Sequence, residues 1–195
     1  MNERFEQLWE ASCKRLPTVV QEKRELFALF SLMREIGCES YLEIGTSNGG
    51  SLWVLAGVVD GTLTVVDICE AKSKALFDEA VAHTQAHAIC GDSTDPATVE
   101  RARGEYDVVM IDGGHSYEVV SADMKNYGPM ARKMIVLHDI NHRDVQKLWG
   151  EIAASIPSRC LMISTPQSTM GFGVIFKEPS GWLANGEHKQ TLVTR

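Results

Sequence analysis

No apolar stretch of this 195-residue chain approaches the ~20 residues needed to cross a bilayer. Its opening segment, Met-Asn-Glu-Arg-Phe-Glu, is charged and lacks the apolar core of a secretory signal. There is no run of Lys or Arg, and the formal net charge is -7. A nucleic-acid backbone is therefore a poor partner. Cysteines number five, and none stands in a Cys-x-x-Cys pair. That pattern predicts free, small, apolar thiols in a reducing compartment, and with the missing signal it predicts a cytoplasmic protein. No internal repeat or low-complexity segment is present.

What is there is the composition of an ordinary globular domain, 44% hydrophobic and 23% charged. Residues 3–36 have helical spacing of apolar positions (Phe5, Leu8 and Trp9, then Leu26, Phe27, Leu29, Phe30 and Met33), with Pro17 separating two helices. We expect residues 1–38 to form a helical lid or dimerisation segment, making a homodimer the expected assembly. From residue 40 the rhythm changes. Short apolar runs at Tyr41–Ile44, Leu63–Val66, His87–Cys90, Val108–Ile111, Met134–Leu137, Leu161–Ser164 and Val174–Phe176 alternate with helical stretches as far as the sixth. This predicts an α/β fold: a Rossmann-like, doubly wound, seven-stranded sheet, mostly parallel, over residues 39–178. The last two runs are too close for a crossover helix and should form an antiparallel hairpin. Residues 179–195 read as a tail that Trp182 and Leu183 dock on the body or on another subunit.

The first strand leads into Glu43-Ile-Gly45-Thr46-Ser47-Asn-Gly49-Gly50-Ser51. Glycine permits a sharp turn and close approach of a ligand, and the following helix presents free N–H groups. The spacing is not the Gly-x-Gly-x-x-Gly of a dinucleotide site. An acid just before the first glycine suits a zwitterion better than a pyrophosphate. Asp67, followed by Ile68, ends the second strand where a carboxylate reaches a ribose diol. Asp92 and Ser93 follow the third strand, where Asp92 offers an acidic contact for an adenine amino group. The bland alternatives are helix caps at Asp67 and Asp92.

These segments resemble the first motifs of class I S-adenosylmethionine-dependent methyltransferases, which share the seven-stranded sheet with its terminal hairpin. The resemblance implies that Glu43, Gly45, Thr46, Ser47 and Gly49 line the methionine moiety, that Asp67 and Ile68 hold the ribose side, and that Asp92 and Ser93 meet the adenine. Ser47 stands where the family carries its middle glycine.

A second constellation follows. The fourth strand ends in Asp112-Gly-Gly-His115-Ser-Tyr117 and the fifth in His138-Asp139-Ile-Asn141-His142. If these strands are neighbours, ~5 Å apart, their terminal carboxylates meet. Two such carboxylates take up a proton or share a cation. Asp112 and Asp139, with His138 or Asn141 as the third ligand, would make a divalent-cation site. The bland alternative is that each acid caps the helix after it. The segment is similar to metal-dependent small-molecule O-methyltransferases, the cephalosporin-hydroxylase-like and macrolide-sugar branch. That resemblance implies magnesium or manganese held by Asp112, His138 and Asp139, with His138 standing where relatives carry an acid. The catalytic residues are then Asp112, which also borders the cofactor, and His115 or His138 as base toward a hydroxyl of a small-molecule acceptor. His83 and His87 have helical metal spacing, but His87 already belongs to the third strand. Two other readings stand beside this one: a Rossmann-like enzyme using NAD or another nucleotide, and a degenerate methyltransferase fold serving as a binding module.

Overall fold

A computed structural model describes residues 2–16, 21–70, 73–178 and 191–192. Pro17, Trp182 and Leu183, and most of the expected tail, lie outside the described residues. The elements run α1 (Glu3–Arg15), α2 (Lys23–Glu35), β1 (Ser40–Ile44), α3 (Gly50–Leu55), β2 (Thr62–Asp67), α4 (Lys74–Thr84), β3 (His87–Cys90), α5 (Pro96–Arg101), β4 (Tyr106–Ile111), α6 (Tyr117–Tyr127), β5 (Ala131–His138), α7 (Arg143–Ser155), β6 (Cys160–Ile163), β7 (Phe172–Phe176) and β8 (Thr191–Leu192).

All seven expected strands form one sheet in the order β3-β2-β1-β4-β5-β7-β6, and the two-residue β8 extends it beside β6. The first five strands pair in parallel, and β7 runs antiparallel to both β5 and β6. The order in which strands are added reverses between β1 and β4, so the loops after these parallel strands open a crevice at their C-terminal ends, where open α/β sheets bind ligands. His87 opens β3, and His83, on α4, stacks on Trp53 at 3.7 Å, so the two histidines do not share a helix face.

Strand alternation divides the core. Val108 and Met110 of β4, with Tyr41 of β1, face α1 to α4, whereas Val109, Ile111, Leu42 and Ile44 face α5 to α7. Phe5, Leu26, Leu29, Phe30 and Met33 of the two N-terminal helices belong to the first of these clusters and are essentially inaccessible. The opening helices are thus a layer of the same core. At the other end of the strands, Asp107 staples the sheet's base: its carboxylate accepts from Glu39 N–H (2.8 Å), Arg132 Nη2 (2.9 Å) and Lys133 Nζ (3.2 Å). Among the described residues no helix is long and apolar enough to cross a membrane.

The cysteines depart from expectation. Cys13, Cys38 and Cys160 are free thiols, but Cys69 and Cys90 are joined in a disulfide, with Cα atoms 5.6 Å apart. Asp67 and Cys90 are register partners at the ends of two parallel strands, and the left-handed turn at Cys69 brings its sulfur back across to Cys90. Spacing along the chain carries no trace of this neighbourhood.

Candidate active site

The first cofactor loop is built by close approach. Gly45 has φ +78°, and a Cβ there would collide with the backbone of Asp112 and Gly113, so the loops after β1 and β4 touch through a glycine. Gly45 N–H donates to Val66 O (2.8 Å) and Asp112 N–H to Ile44 O (2.7 Å), continuing the ladders past the strand ends. Ser47 adopts φ +50°, the left-handed conformation that a glycine at this position would take without strain. Gly49 is also left-handed, but its bare Cα faces Ala80 of α4, so it serves helix packing.

Two cavities open around this loop. The first, about 330 Å³, is walled by Gly45, Ser47, Asp67, Ile68, Gly91 and Ser93, and closed by Asp112, Gly113 and Gly114. The second, about 270 Å³, shares Gly45, Ser47, Asp112 and Gly113, and adds Gln21, Thr46, His115, His138 and Asp139. The two spaces therefore adjoin across the Gly45–Asp112 contact.

Asp67 does not cap a helix; α4 begins behind Ser73. Its carboxylate accepts three backbone N–H groups, from Thr46 (3.0 Å) and Ser47 (2.9 Å) on Oδ2 and from Cys69 (2.7 Å) on Oδ1. Ile68 is 60% exposed on the cavity rim, the one large hydrophobic left open among the described residues. Two expected contacts lie elsewhere. Glu43 shares its strand face with Tyr41, so it points under the loop, fully buried, accepting from Ser51 Oγ and from Tyr41 Oη (2.9 Å). Burial raises its carboxyl to about 7, against the pull of its hydrogen bonds. Asp92 is exposed and closes a turn on Thr94 through its backbone N–H (2.8 Å) and hydroxyl (2.7 Å). Asp92 does not cap a helix either, since the N-cap of α5 is Asp95, and Ser93 is the residue that reaches the cavity wall.

The residues of the second constellation lie together at the ends of β4 and β5. Neither acid caps a helix: α6 starts behind Ser116 and α7 behind His142. His138 Nδ1 lies 2.8 Å from Asp112 Oδ1 and 3.4 Å from Asp139 Oδ2, and His115 Nε2 lies 2.9 Å from Asp139 Oδ2. Asp139 itself has φ +56°, a conformation costing of order 1–3 kcal/mol in a non-glycine residue and found where function demands it. Burial opposes a charge on His138, but Asp112 and Asp139 overcome it and raise the imidazole to about 10. His115 is raised by its hydrogen bond to Asp139, while burial works the other way. For Asp139, burial is outweighed by His115 and His138, which hold its carboxyl well below the usual range.

Asp112, His138 and Asp139 each present one ligand atom, all within 4.8 Å of one another. Among the described residues, His138 Nε2 is buried without a hydrogen-bond partner. A mixed nitrogen and oxygen set of this span fits a divalent ion of the manganese type. Asn141 is not part of the set; its amide donates to Ser164 Oγ and Ser168 O, both at 3.0 Å.

Two residues of α2 and its approach went unmarked in the sequence. Gln21 lines the second cavity, with Nε2 3.5 Å from Asp112 Oδ2. Glu25 is fully buried and accepts from Thr165 N–H (2.6 Å), Thr165 Oγ1 (3.3 Å), Ser168 Oγ (3.1 Å) and Gly171 N–H (3.2 Å). It thereby fixes the β6–β7 loop, whose Met170 and Gly171 carbonyls accept from Asn141 and Ile140, just after Asp139. The available signal was periodicity: Glu25 falls on the apolar face with Leu29 and Leu32.

Residues 42–140 match a family model described as a methyltransferase domain. No curated protein sequence matches the chain. Among solved structures, the chain is similar to the Bacillus cereus O-methyltransferase in complex with S-adenosylhomocysteine, at 17% identity and TM-score 0.61, covering 91% of this chain and 92% of that one. It is also similar to TomG of Streptomyces achromogenes, an O-methyltransferase of tomaymycin synthesis solved with S-adenosylmethionine, at 18% identity, TM-score 0.61 and 90% coverage of each chain. A third is a Podospora anserina methyltransferase bound to S-adenosylhomocysteine, at 15% identity and TM-score 0.61, covering 91% of this chain and 89% of that one.

Proposed function

Because this chain belongs to the methyltransferase-domain family, we propose that it moves the methyl group of S-adenosylmethionine to a hydroxyl of a small molecule, with a divalent metal at Asp112, His138 and Asp139. The observation that carries this reading is the adjacency of the two cavities across Gly45 and Asp112. One is walled by the residues suited to an adenosyl group, and the other by the acid and histidine cluster. Family membership sets aside the NAD-using oxidoreductase.

When bound, S-adenosylmethionine supplies a methyl group already activated by its sulfonium, so the chain's work is positioning and proton handling. Asp67 presents its carboxylate at the first cavity, held in place by three N–H groups, and Ile68 offers an apolar surface beside it. A metal at Asp112, His138 and Asp139 would lower the pKa of an acceptor hydroxyl. His115 takes the proton. It lies on the second cavity and is oriented by Asp139, the arrangement of a base held by a carboxylate. His138 is buried between two carboxylates and serves better as their counter-charge or as a ligand than as a base.

Isothermal titration of the intact chain with S-adenosylhomocysteine and with manganese tests the proposal. Binding of both is expected. A folded sample that binds neither overturns it, and cofactor binding with no metal binding removes the metal half.

A further inference from the structure

We propose that Cys69 and Cys90 are a redox-active pair whose disulfide sets the cofactor affinity of the first cavity. The proposal rests on the reading that this cavity takes the adenosyl part of S-adenosylmethionine. The bridge spans the rim of that cavity. Ile68 and Glu70 on either side of Cys69, and Gly91 just after Cys90, all line it.

The bridge also bears directly on Asp67. Cys69 has φ +56°, which a residue with a Cβ adopts at a cost. In that conformation its N–H donates to Asp67 Oδ1 at 2.7 Å, the one hydrogen bond to that oxygen among the described residues. From the other strand, Gly91 N–H donates to Asp67 O at 2.9 Å. The carboxylate and carbonyl of Asp67 are thus each held from a residue at, or next to, one of the two bonded sulfurs. With the bridge open, Cys69 is free to relax to an ordinary backbone conformation and withdraw its N–H. Binding the cofactor would then have to order both strand-end loops again, and that cost appears as lost affinity.

Of the three free thiols, Cys13 on α1 is exposed but lines neither cavity, so thiol chemistry that reaches the first cavity falls to the bonded pair. Cys38 and Cys160 are buried, and burial pushes their thiols up to about 12 and about 11, leaving them inert. Cys90 is exposed and Cys69 half-buried, which makes Cys90 the partner toward which we direct an incoming thiolate. A thiolate of a dithiol reductant attacks Cys90 Sγ, the Cys69–Cys90 bond breaks, and Cys69 leaves as a thiolate that takes up a proton. The second thiol of the reductant resolves the mixed disulfide and releases Cys90. Two electrons and two protons pass to the chain, and the reductant ends as its own disulfide. A disulfide oxidant of the same class reverses the exchange. A bridge that only staples the fold would leave cofactor affinity unchanged. A coupled one must show reciprocity, with the ligand favouring the bonded state by the same factor that the bond favours the ligand.

The test uses the full chain in two states, oxidised with diamide and reduced with dithiothreitol. Alkylation after denaturation should modify three cysteines in the first state, Cys13, Cys38 and Cys160, and all five in the second. Titration with S-adenosylhomocysteine should show affinity weaker by roughly tenfold in the reduced state. Saturating S-adenosylhomocysteine should shift the dithiothreitol equilibrium of the pair by the same factor. The double variant C69S/C90S should bind like the reduced chain and ignore dithiothreitol. Five reactive thiols in the diamide-treated chain, or equal affinity in both states, overturns the proposal. Absence of binding in both states overturns the reading of the cavity as well, which separates the two failures.

Discussion

His115 Nε2 and Asp139 Oδ2 lie 2.9 Å apart, joining the loop after β4 to the loop after β5 directly above the sheet's C-terminal edge. The pair holds one side of Asp139 while His138 Nδ1 approaches the same oxygen at 3.4 Å. One carboxylate therefore orients the candidate base and belongs to the candidate metal set. The two functions are therefore coupled at Asp139 and separable at His115, which lies outside the metal set.

Asp139→Asn removes a ligand charge and is expected to abolish measurable manganese binding. His115→Gln removes the candidate base and the hydrogen-bond partner of Asp139 but no member of the metal set, and should weaken manganese by roughly tenfold. Both variants should bind S-adenosylhomocysteine within about twofold of the parent, because neither residue lines the first cavity. Isothermal titration with each ligand checks all four values.

Glu43 makes stability depend on pH in an identifiable window. Its carboxyl is raised from an ordinary 4.5 to about 7 in the folded chain. Below pH 4.5 the group is protonated in both states and contributes nothing to the pH dependence. Between 4.5 and 7 the unfolded chain releases its proton while the folded chain keeps it, so stability falls as pH rises. The full difference is on the order of 3 kcal/mol. Glu43→Gln, which keeps an acceptor for Ser51 or Tyr41, should flatten thermal stability across that window. A variant whose melting temperature still falls with the parent's slope would refute the assignment.

Glu25→Ala should cost about 3 kcal/mol, since it leaves two loop N–H groups without their buried acceptor. At this chain length that lowers the melting temperature by roughly 10 °C. Hydrogen exchange should quicken first in 164–171 and then in 139–141, the order in which the hydrogen bonds connect them.

Asp107→Ala takes the carboxylate from beneath Arg132, Lys133 and the Glu39 amide. The acid is buried but its two cationic partners are about half exposed, so the expected loss is about 2 kcal/mol, below that of a fully buried pair. Hydrogen bonds from the Glu39 amide and Lys133, with the two cations, outweigh burial and hold this carboxyl below its ordinary value. Its contribution is present above the unfolded value and is lost as pH falls through the folded one. Urea titration at pH 7 and at pH 3 should therefore find a smaller difference between parent and variant at the lower pH.

Much of the molecule was legible in residue order. The alternation of short apolar runs with helical stretches determined the strands and their helices, because a buried strand and an amphipathic helix each impose their own period on the chain. The short interval between β6 and β7 determined the hairpin, and acids at strand ends marked one edge of the sheet. Adjacency belonged to the tertiary structure. Asp112 meets His138 because β4 and β5 are neighbours, and Cys69 meets Cys90 because β2 and β3 are. Facing was also decided there. The loop path turned Asp92 to solvent, and the pleat turned Glu43 under the loop beside Tyr41, although both acids occupy the strand ends that the motif predicts. Glu25 shows the same division: its period placed it on a buried face, but only the returning β6–β7 loop supplied the N–H groups that make a buried carboxylate tolerable there.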